Sequence, residues 1–291
     1  MLVALLPLIL VTQHAVTPTE WKPVDQALGR SGAMQPGGVY RVSFPRGDLK
    51  VTAAGVSVRP ALALGSWVAF KRTSDSAAIM TGDLVLLDSE IGPVIDALQR
   101  VGIEQTALHH HILHESPHVL YMHVMGRGQA AKLAADVRAA LAVTKTPLAA
   151  PTNAPAPAAI NLDTAQIAQI LGVHGRVNGG VYQIGVPRAE TITVDSAEVP
   201  PAMGVATAIN FQPTGGGKAA ITGDFVLIAA EVNPVIQALR ANSIEVTSLH
   251  SHMLTESPRL FFMHFWANDD ALKLARGLAA ALGTMNVRKG P

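Results

Sequence analysis

The sequence predicts an α+β fold: two tandem copies of a β-α-β-β-α-containing unit, each an antiparallel or mixed sheet with helices on one face. Three observations lead there. The block "TGDLVLLDSEIGPVIDALQRVGIEQTALHHHILHESPHVLYMHV", residues 81–124, returns without insertion or deletion as "TGDFVLIAAEVNPVIQALRANSIEVTSLHSHMLTESPRLFFMHF", residues 222–265. Within each block the apolar period switches from that of a strand to that of a helix and back. Between the copies lies "TKTPLAAPTNAPAPAA", whose alternating Pro and Ala favour an extended, semi-rigid chain over a packed element.

The elements follow in order. In the second copy "DFVLI" reads as a buried strand, and "NPVIQALRANS" as a helix with Asn233 as N-cap and Pro234 at its first position. The strand "IEVTSLHSHML" comes next, "ESP" turns the chain, and "RLFFMHFW" returns as an aromatic-rich strand. "NDDALKLARGLAAALG" is an amphipathic helix capped by Asn268 or Asp269 and ended by Gly283. Strand, helix, hairpin and helix in that order suggest a sandwich related to ferredoxin-like topologies. Upstream, "LGRSGAMQPGGVYRVSFPR" answers "LGVHGRVNGGVYQIGVPR" and Phe70 answers Phe211, which adds strands that the pattern does not place.

These repeats divide the chain into a signal peptide at residues 1–15, a first repeat domain at 18–143, a linker at 144–159 and a second repeat domain at 160–291. The opening "MLVALLPLILVTQHAVTP" is too short to span a bilayer, which takes about 20 residues, and has the size of a signal-peptide core. It departs from that pattern in lacking Lys or Arg before the run and in placing Gln13 where a small residue is preferred. No later segment reads as a membrane span. The expected location is therefore extracytoplasmic, periplasmic or secreted.

Charged residues are 15% of the chain and the formal net charge is +1, so there is no electrostatic footprint for nucleic acid. Cysteine is absent, which leaves histidine and carboxylate to carry any metal.

Histidine is concentrated in "ALHHHILHESPHVLYMHV", which contains a literal H-E-x-x-H from His114 to His118. In a zincin the two histidines sit one helical turn apart, with the glutamate beside them as general base. Pro117 lies inside that window, where it costs a helix about 3 kcal/mol, and the matching Thr255-Glu256-Ser257-Pro258-Arg259 lacks both histidines. The motif is a chance match in a turn.

Both copies share a different set: His109, His111 and His123, matched by His250, His252 and His264. Residues two apart on a strand point to the same face. A hairpin symmetric about Ser116 places His109 across from His123, and one symmetric about Ser257 places His250 across from His264. Directly opposed partners have Cβ atoms about 4.5–5.5 Å apart, so three imidazoles converge in each copy. Such a facial set holds Zn²⁺ with a fourth position open, and suits Cu²⁺, Ni²⁺, Fe²⁺ or Mn²⁺ as well. Glu115 and Glu256, on the turns, are candidates for orienting a ligand or acting as general base, or for a fourth ligand. The competing structural reading is a half-buried sheet face on which the histidines bond to Thr106, Thr247 or Ser248.

Other features carry less chemistry. His110, His114 and His118 become Ser251, Thr255 and Arg259 in the second copy and read as solvated or supporting residues. Met122 and Met263 alternate to the opposite face and read as core. Asp83 and Asp224, in the paired "TGD", are assigned turn closure, with orientation of a histidine as the lesser role. "TGGGKAA" lacks the first Gly of a phosphate loop and the Ser or Thr after Lys218, which makes it a turn. Ser116 and Ser257 have no nucleophile-elbow context.

The blocks "GGVYQIGVPR", "ATAINFQP", "ITGDFVL" and "LHSHMLTESPRLFFMHFWANDD" resemble the LppY/LpqO-like family of bacterial extracytoplasmic proteins. The resemblance implies an exported bacterial protein containing a domain of unknown function, with no established reaction. Some members are named as lipoproteins, but this chain has no cysteine, so lipid anchoring does not carry over.

The functional expectation is an exported protein that binds a divalent metal, zinc first, through a three-histidine site on a β-hairpin in each repeat. One alternative is a metal-dependent hydrolase or lyase with Glu115 or Glu256 as base. Another is a metal-free module whose strand "RLFFMHFW", with Phe262 and Trp266, meets a small-molecule or cell-envelope ligand. The repeats are candidates to pack on each other as a pseudo-dimer.

Overall fold

The computed structural model describes residues 18–149 and 160–288. The expected signal peptide and most of the expected linker lie outside these residues. In the first repeat, helix α1 (Lys22–Leu28) leads to strands β1 (Ala33–Gln35), β2 (Val39–Pro45), β3 (Val51–Ala53), β4 (Val56–Val58), β5 (Gly65–Arg72) and β6 (Ala78–Leu87). Helix α2 (Asp88–Gln99), strands β7 (Glu104–His109), β8 (Glu115–Ser116) and β9 (Val119–Gly128), and helix α3 (Ala130–Leu141) complete it. The second repeat runs α4 (Thr164–Leu171), β10 (Arg176–Asn178), β11 (Val181–Pro187), β12 (Thr193–Val194), β13 (Ala197–Glu198), β14 (Ala206–Gly215) and β15 (Lys218–Leu227). It ends with α5 (Ala229–Ala241), β16 (Glu245–His250), β17 (Glu256–Ser257), β18 (Phe261–Asp270) and α6 (Ala271–Leu282).

Each repeat builds a six-stranded sheet, in the order β1-β2-β5-β6-β9-β7 and β10-β11-β14-β15-β18-β16, and every pairing is antiparallel. A three-stranded sheet accompanies each: β4-β3-β8 and β13-β12-β17. The strands that the sequence left unplaced are thus β1, β2 and β5 in the main sheet and β3 and β4 in the small one. The chain also inserts β8 or β17 between the two long strands of the expected hairpin.

Period-two alternation places Tyr40, Val42 and Phe44 of β2 on the face covered by helices, where they pack with Trp21, Leu98 and Val137. Met122 and Met263 lie in these helix-side cores as expected. The opposite face is turned to the other repeat. There Val39, Ala69 and Ile79 pack with Ile192, Met203 and Phe262, and Val56 and Val58 pack with Val181 and Trp266. Coverage on both sides explains why β6 is buried without a break from Ala78 to Leu86, its polar Thr81 and Asp83 included. Polar side chains join the repeats as well. Thr81 Oγ1 donates to Met203 O at 3.0 Å, and Gln212 spans Ser57 O at 2.7 Å and Arg59 N at 2.9 Å.

Helix α5 does not begin at Pro234. Glu231 reaches back to accept from Ile228 N at 2.9 Å, which caps a turn that precedes the proline, and Pro234 falls inside the helix. The same carboxylate meets the buried Arg188 guanidinium at 2.6 Å, and Glu190 meets it at 2.9 Å. Arg46, Glu90 and Asp48 repeat this network in the first copy, at 2.8 and 2.9 Å. Helix α6 takes its cap from Asp270, which accepts from Lys273 N at 2.8 Å, and not from Asn268 or Asp269. The first residues of the expected linker pack on the first repeat, with Lys145 N donating to Glu90 at 2.9 Å and Thr146 buried.

Candidate metal centre

The hairpin register differs from the symmetric one. His123 lies across from Ala107, and His109 across from Tyr121, because the connection between these strands is not symmetric about Ser116; farther along the pair a bulge sits between Gln105 and Ala107. The second copy repeats this with His264 across from Ser248, His250 across from Phe262, and a bulge between Val246 and Ser248. The displacement is an even number of residues, so His109 still shares the face of His123, as a diagonal neighbour. His111 and His252 lie beyond the ends of β7 and β16. Exchanged bonds hold these two segments together: Thr106 Oγ1 donates to His252 O at 2.6 Å, and Thr247 Oγ1 to His111 O at 2.7 Å.

The consequence is one cluster in place of two separate sites. The hairpins face each other across a pseudo-twofold axis that passes between His109 and His250, whose ring centroids are 3.6 Å apart. On either side His111 meets His264 at 3.9 Å between centroids, and His252 meets His123 at 3.6 Å. Three ligand sets have donor atoms within 4.8 Å of one another: His109, His111 and His264; His109, His123 and His250; and Asp224, His250 and His252. The first two draw on both repeats. The set His109, His111 and His123, expected from one repeat alone, is not among them.

Asp83 and Asp224 do not close turns. Each lies on a long strand directly opposite a histidine, Asp83 by His123 and Asp224 by His264. Asp224 Oδ2 approaches His252 Nε2 at 3.0 Å, and Asp83 Oδ2 approaches His111 Nε2 at 3.5 Å. The signal was present in the sequence: an aspartate at matched positions of two buried strands is costly without a partner.

Backbone carbonyls set the tautomers. His264 Nδ1 lies 2.6 Å from Gly223 O, His123 Nδ1 3.3 Å from Gly82 O, and His252 Nδ1 2.9 Å from Gly204 O. A carbonyl only accepts, so each Nδ1 carries the proton and each ring turns its Nε2 into the cluster. His264 Nε2 lies 3.1 Å from His109 Nε2. The buried atoms His123 Nε2, His109 Nδ1, both ring nitrogens of His250, Asp83 Oδ1 and Asp224 Oδ1 have no hydrogen-bond partner. Burial, followed by the neighbouring imidazoles, holds His109, His111, His123 and His250 far below the usual histidine range. His264 is lowered by burial against the opposing pull of Asp224 and Gly223 O. Burial and then Asp224 push the Asp83 carboxyl up to about 8, with Arg41 opposing.

Glu115 and Glu256 serve the loops. Glu115 accepts from Val119 N at 3.1 Å and Glu256 from Leu260 N at 2.9 Å, and neither belongs to a ligand set. They differ in charge balance. Arg259 pairs with Glu256 at 3.2 Å, whereas His118, its counterpart in position, turns to Asp88 at 2.8 Å and His110 at 3.2 Å. Burial pushes Glu115 up to about 7, against Val119 N–H and His118. His114 has a left-handed φ of 57°, and no helix covers the H-E-x-x-H, which rules out zincin geometry. Phe262 and Trp266 are buried between the repeats, and Phe262 stacks on His252 at 3.5 Å.

A family described as Domain of Unknown Function (DUF1259) matches residues 22–143 and again residues 165–284. The chain belongs to this family. The duplication seen in the DUF1259 fold is therefore a duplication of the whole family domain. No curated protein matches the chain. Among solved structures it is similar to a trimeric bacterial microcompartment shell protein, PduB, at 14% identity and a TM-score of 0.21, over 86% of this chain and 88% of that one. EtuB from Clostridium kluyveri gives 9% identity and a TM-score of 0.20, over 87% and 91%. Similarity at this level carries no argument about fold or function here.

Proposed function

We propose that this DUF1259 protein binds a divalent metal ion, zinc first, in the histidine and aspartate cluster between its repeats. The observation that carries the reading is the three ligand sets, each of which contains one histidine, His264, His123 or His252, that a carbonyl bond to Nδ1 orients with Nε2 toward the cluster. Metal-bound histidines are oriented by such bonds. Zn–N bonds of about 2.0–2.1 Å put tetrahedral ligands a little over 3 Å apart, so donor atoms within 4.8 Å of one another need small rotamer shifts to close on an ion. Cu²⁺, Ni²⁺, Fe²⁺ and Mn²⁺ share the ligand chemistry. The apolar N-terminal run and the resemblance to LppY/LpqO-like proteins support a role outside the cytoplasm.

Elemental analysis of untagged protein tests this. Wild type is expected to hold stoichiometric metal. His123→Ala and His252→Ala, from different repeats, are both expected to lower it, while His110→Ala leaves it unchanged. A wild-type protein that holds no metal after reconstitution overturns the reading.

A hydrolytic role for the same centre is favoured by one asymmetry: Glu115 Oε2 has no partner, while Glu256 is neutralised by Arg259. In that reading Glu115 is the base, and Glu115→Gln abolishes turnover with metal retained.

A further inference from the structure

A second site lies away from the histidines, where the edge strands of the two main sheets approach each other. β1 and β10 each end a sheet, so each pairs on one side only and leaves backbone groups unpaired on the other. Between them is a cleft of about 360 Å³, lined by Gln35, Arg41, Ser43, Arg176 and Asn178 among others. Its size is that of a small-molecule site.

Two guanidinium groups, one from each repeat, line this cleft, and neither is in an ion pair among the described residues. Arg41 is held in place on one side: its guanidinium lies 3.8 Å from the Trp67 ring centroid, and Nη1 donates to Ala202 O at 3.0 Å. That anchoring leaves most of its five donors for another acceptor. Burial disfavours its charge, Asp83 supports it, and the like charge of Arg176 works against it. Like charges drawn together from two repeats are unfavourable in the absence of an anion.

The sequence shows that this pairing is not inherited from the repeat. Arg41 occupies the place of Gln183 when the Gly-Gly-Val-Tyr blocks are superposed, and Arg176 takes the place of Ala33 in the strand pairing, the turn of the second copy being one residue shorter. Ala33 is opposite Arg41 on one hairpin and Arg176 opposite Gln183 on the other. Each repeat therefore carries one arginine on a different strand, and the packing of the repeats brings both to one cleft.

We propose that this cleft binds a small oxyanion, a carboxylate- or phosphate-bearing molecule, gripped between Arg41 and Arg176 with Gln35, Ser43 and Asn178 supplying neutral hydrogen bonds. Planar guanidinium groups match both kinds of oxyanion.

Isothermal titration of the full chain with inorganic phosphate and, separately, with tricarballylate tests the site. Saturable binding of one anion is expected, weakening as salt rises, and the anion preferred tells a phosphate ligand from a carboxylate one. Arg41→Gln and Arg176→Gln are each expected to weaken it by about tenfold or more, and Arg41→Lys by less. Arg176 is exposed, so Arg176→Gln separates loss of binding from loss of fold. Absence of saturable binding for both anions, or unchanged affinity in Arg176→Gln, overturns the proposal.

Discussion

Lowering the pH of the metal-free protein from 6 to 5 is expected to cost it several kcal/mol of stability. Five histidines of the cluster, His109, His111, His123, His250 and His264, are depressed by burial. A group whose folded pKa is depressed contributes stability that is fully present above the unfolded value, about 6.5 for histidine, and is lost as pH falls from there toward the folded value. Between pH 6 and 5 the unfolded chain holds most of five protons on these side chains and the folded chain holds few. Two carboxyls oppose the effect. Asp83, raised to about 8, and Glu115, raised to about 7, hold protons in the folded state that the unfolded chain has released. The net difference is about three protons, and each is worth about 1.4 kcal/mol per pH unit. The expected slope is therefore about 3 to 4 kcal/mol per unit, a large part of the 5–15 kcal/mol typical of a folded domain. Urea unfolding followed by circular dichroism at pH 7.5, 6.0 and 5.0 measures it. A change below about 1 kcal/mol between the two lower values refutes the argument that the imidazoles are buried and neutral.

Three further outcomes follow from the packing. Glu231→Ala leaves the buried Arg188 with Glu190 as its carboxylate partner and is expected to cost about 3–5 kcal/mol, read as a lower urea midpoint at unchanged m-value. Gly223→Ala places a Cβ 1.9 Å from Ala208 O and displaces the carbonyl that orients His264. It is expected to cost about 3 kcal/mol or more, and more than Gly82→Ala, where the nearest atoms are 2.9 Å away. Gln212→Ala removes two bonds between the repeats and is expected to cost about 2 kcal/mol, measurable as a fall in melting temperature.

The repeat, the antiparallel hairpins, the helix-covered face and the co-facial histidines were legible in the sequence because each rests on local periodicity. The diagonal register of His109 and His123 was not. The connection between β7 and β9 sets it: β8 leaves the hairpin to pair with β3, so the strands do not close symmetrically about Ser116, and β3 is distant in sequence. The start of α5 was misread because Asn233-Pro234 is a strong local signal. Glu231 overrides it through its cap on Ile228 N, and it is held in place by Arg188, which is distant in sequence. Asp83 and Asp224 were underrated for a related reason. Their partners lie on neighbouring strands and in the loops after β7 and β16, so a reading of "TGD" as a turn had nothing local against it.

The main departure from the sequence reading is that two three-histidine sets became one six-histidine cluster, and the duplication accounts for it. A residue near a pseudo-twofold axis meets its own counterpart, as His109 meets His250, and every ligand the domain supplies arrives twice. Joining the copies in one chain makes that meeting intramolecular, so the cluster assembles without the concentration dependence of a dimer. It also frees the two halves to diverge. Tyr121 stacks on His111 where Phe262 stacks on His252, and Glu115 lacks the arginine that neutralises Glu256. A homodimer keeps such positions identical by symmetry. In this chain the flanks of the cluster differ in their polar groups while the six histidines and two aspartates stay matched. That is the pattern expected if the matched set performs the binding and the mismatched flanks give its two sides different environments.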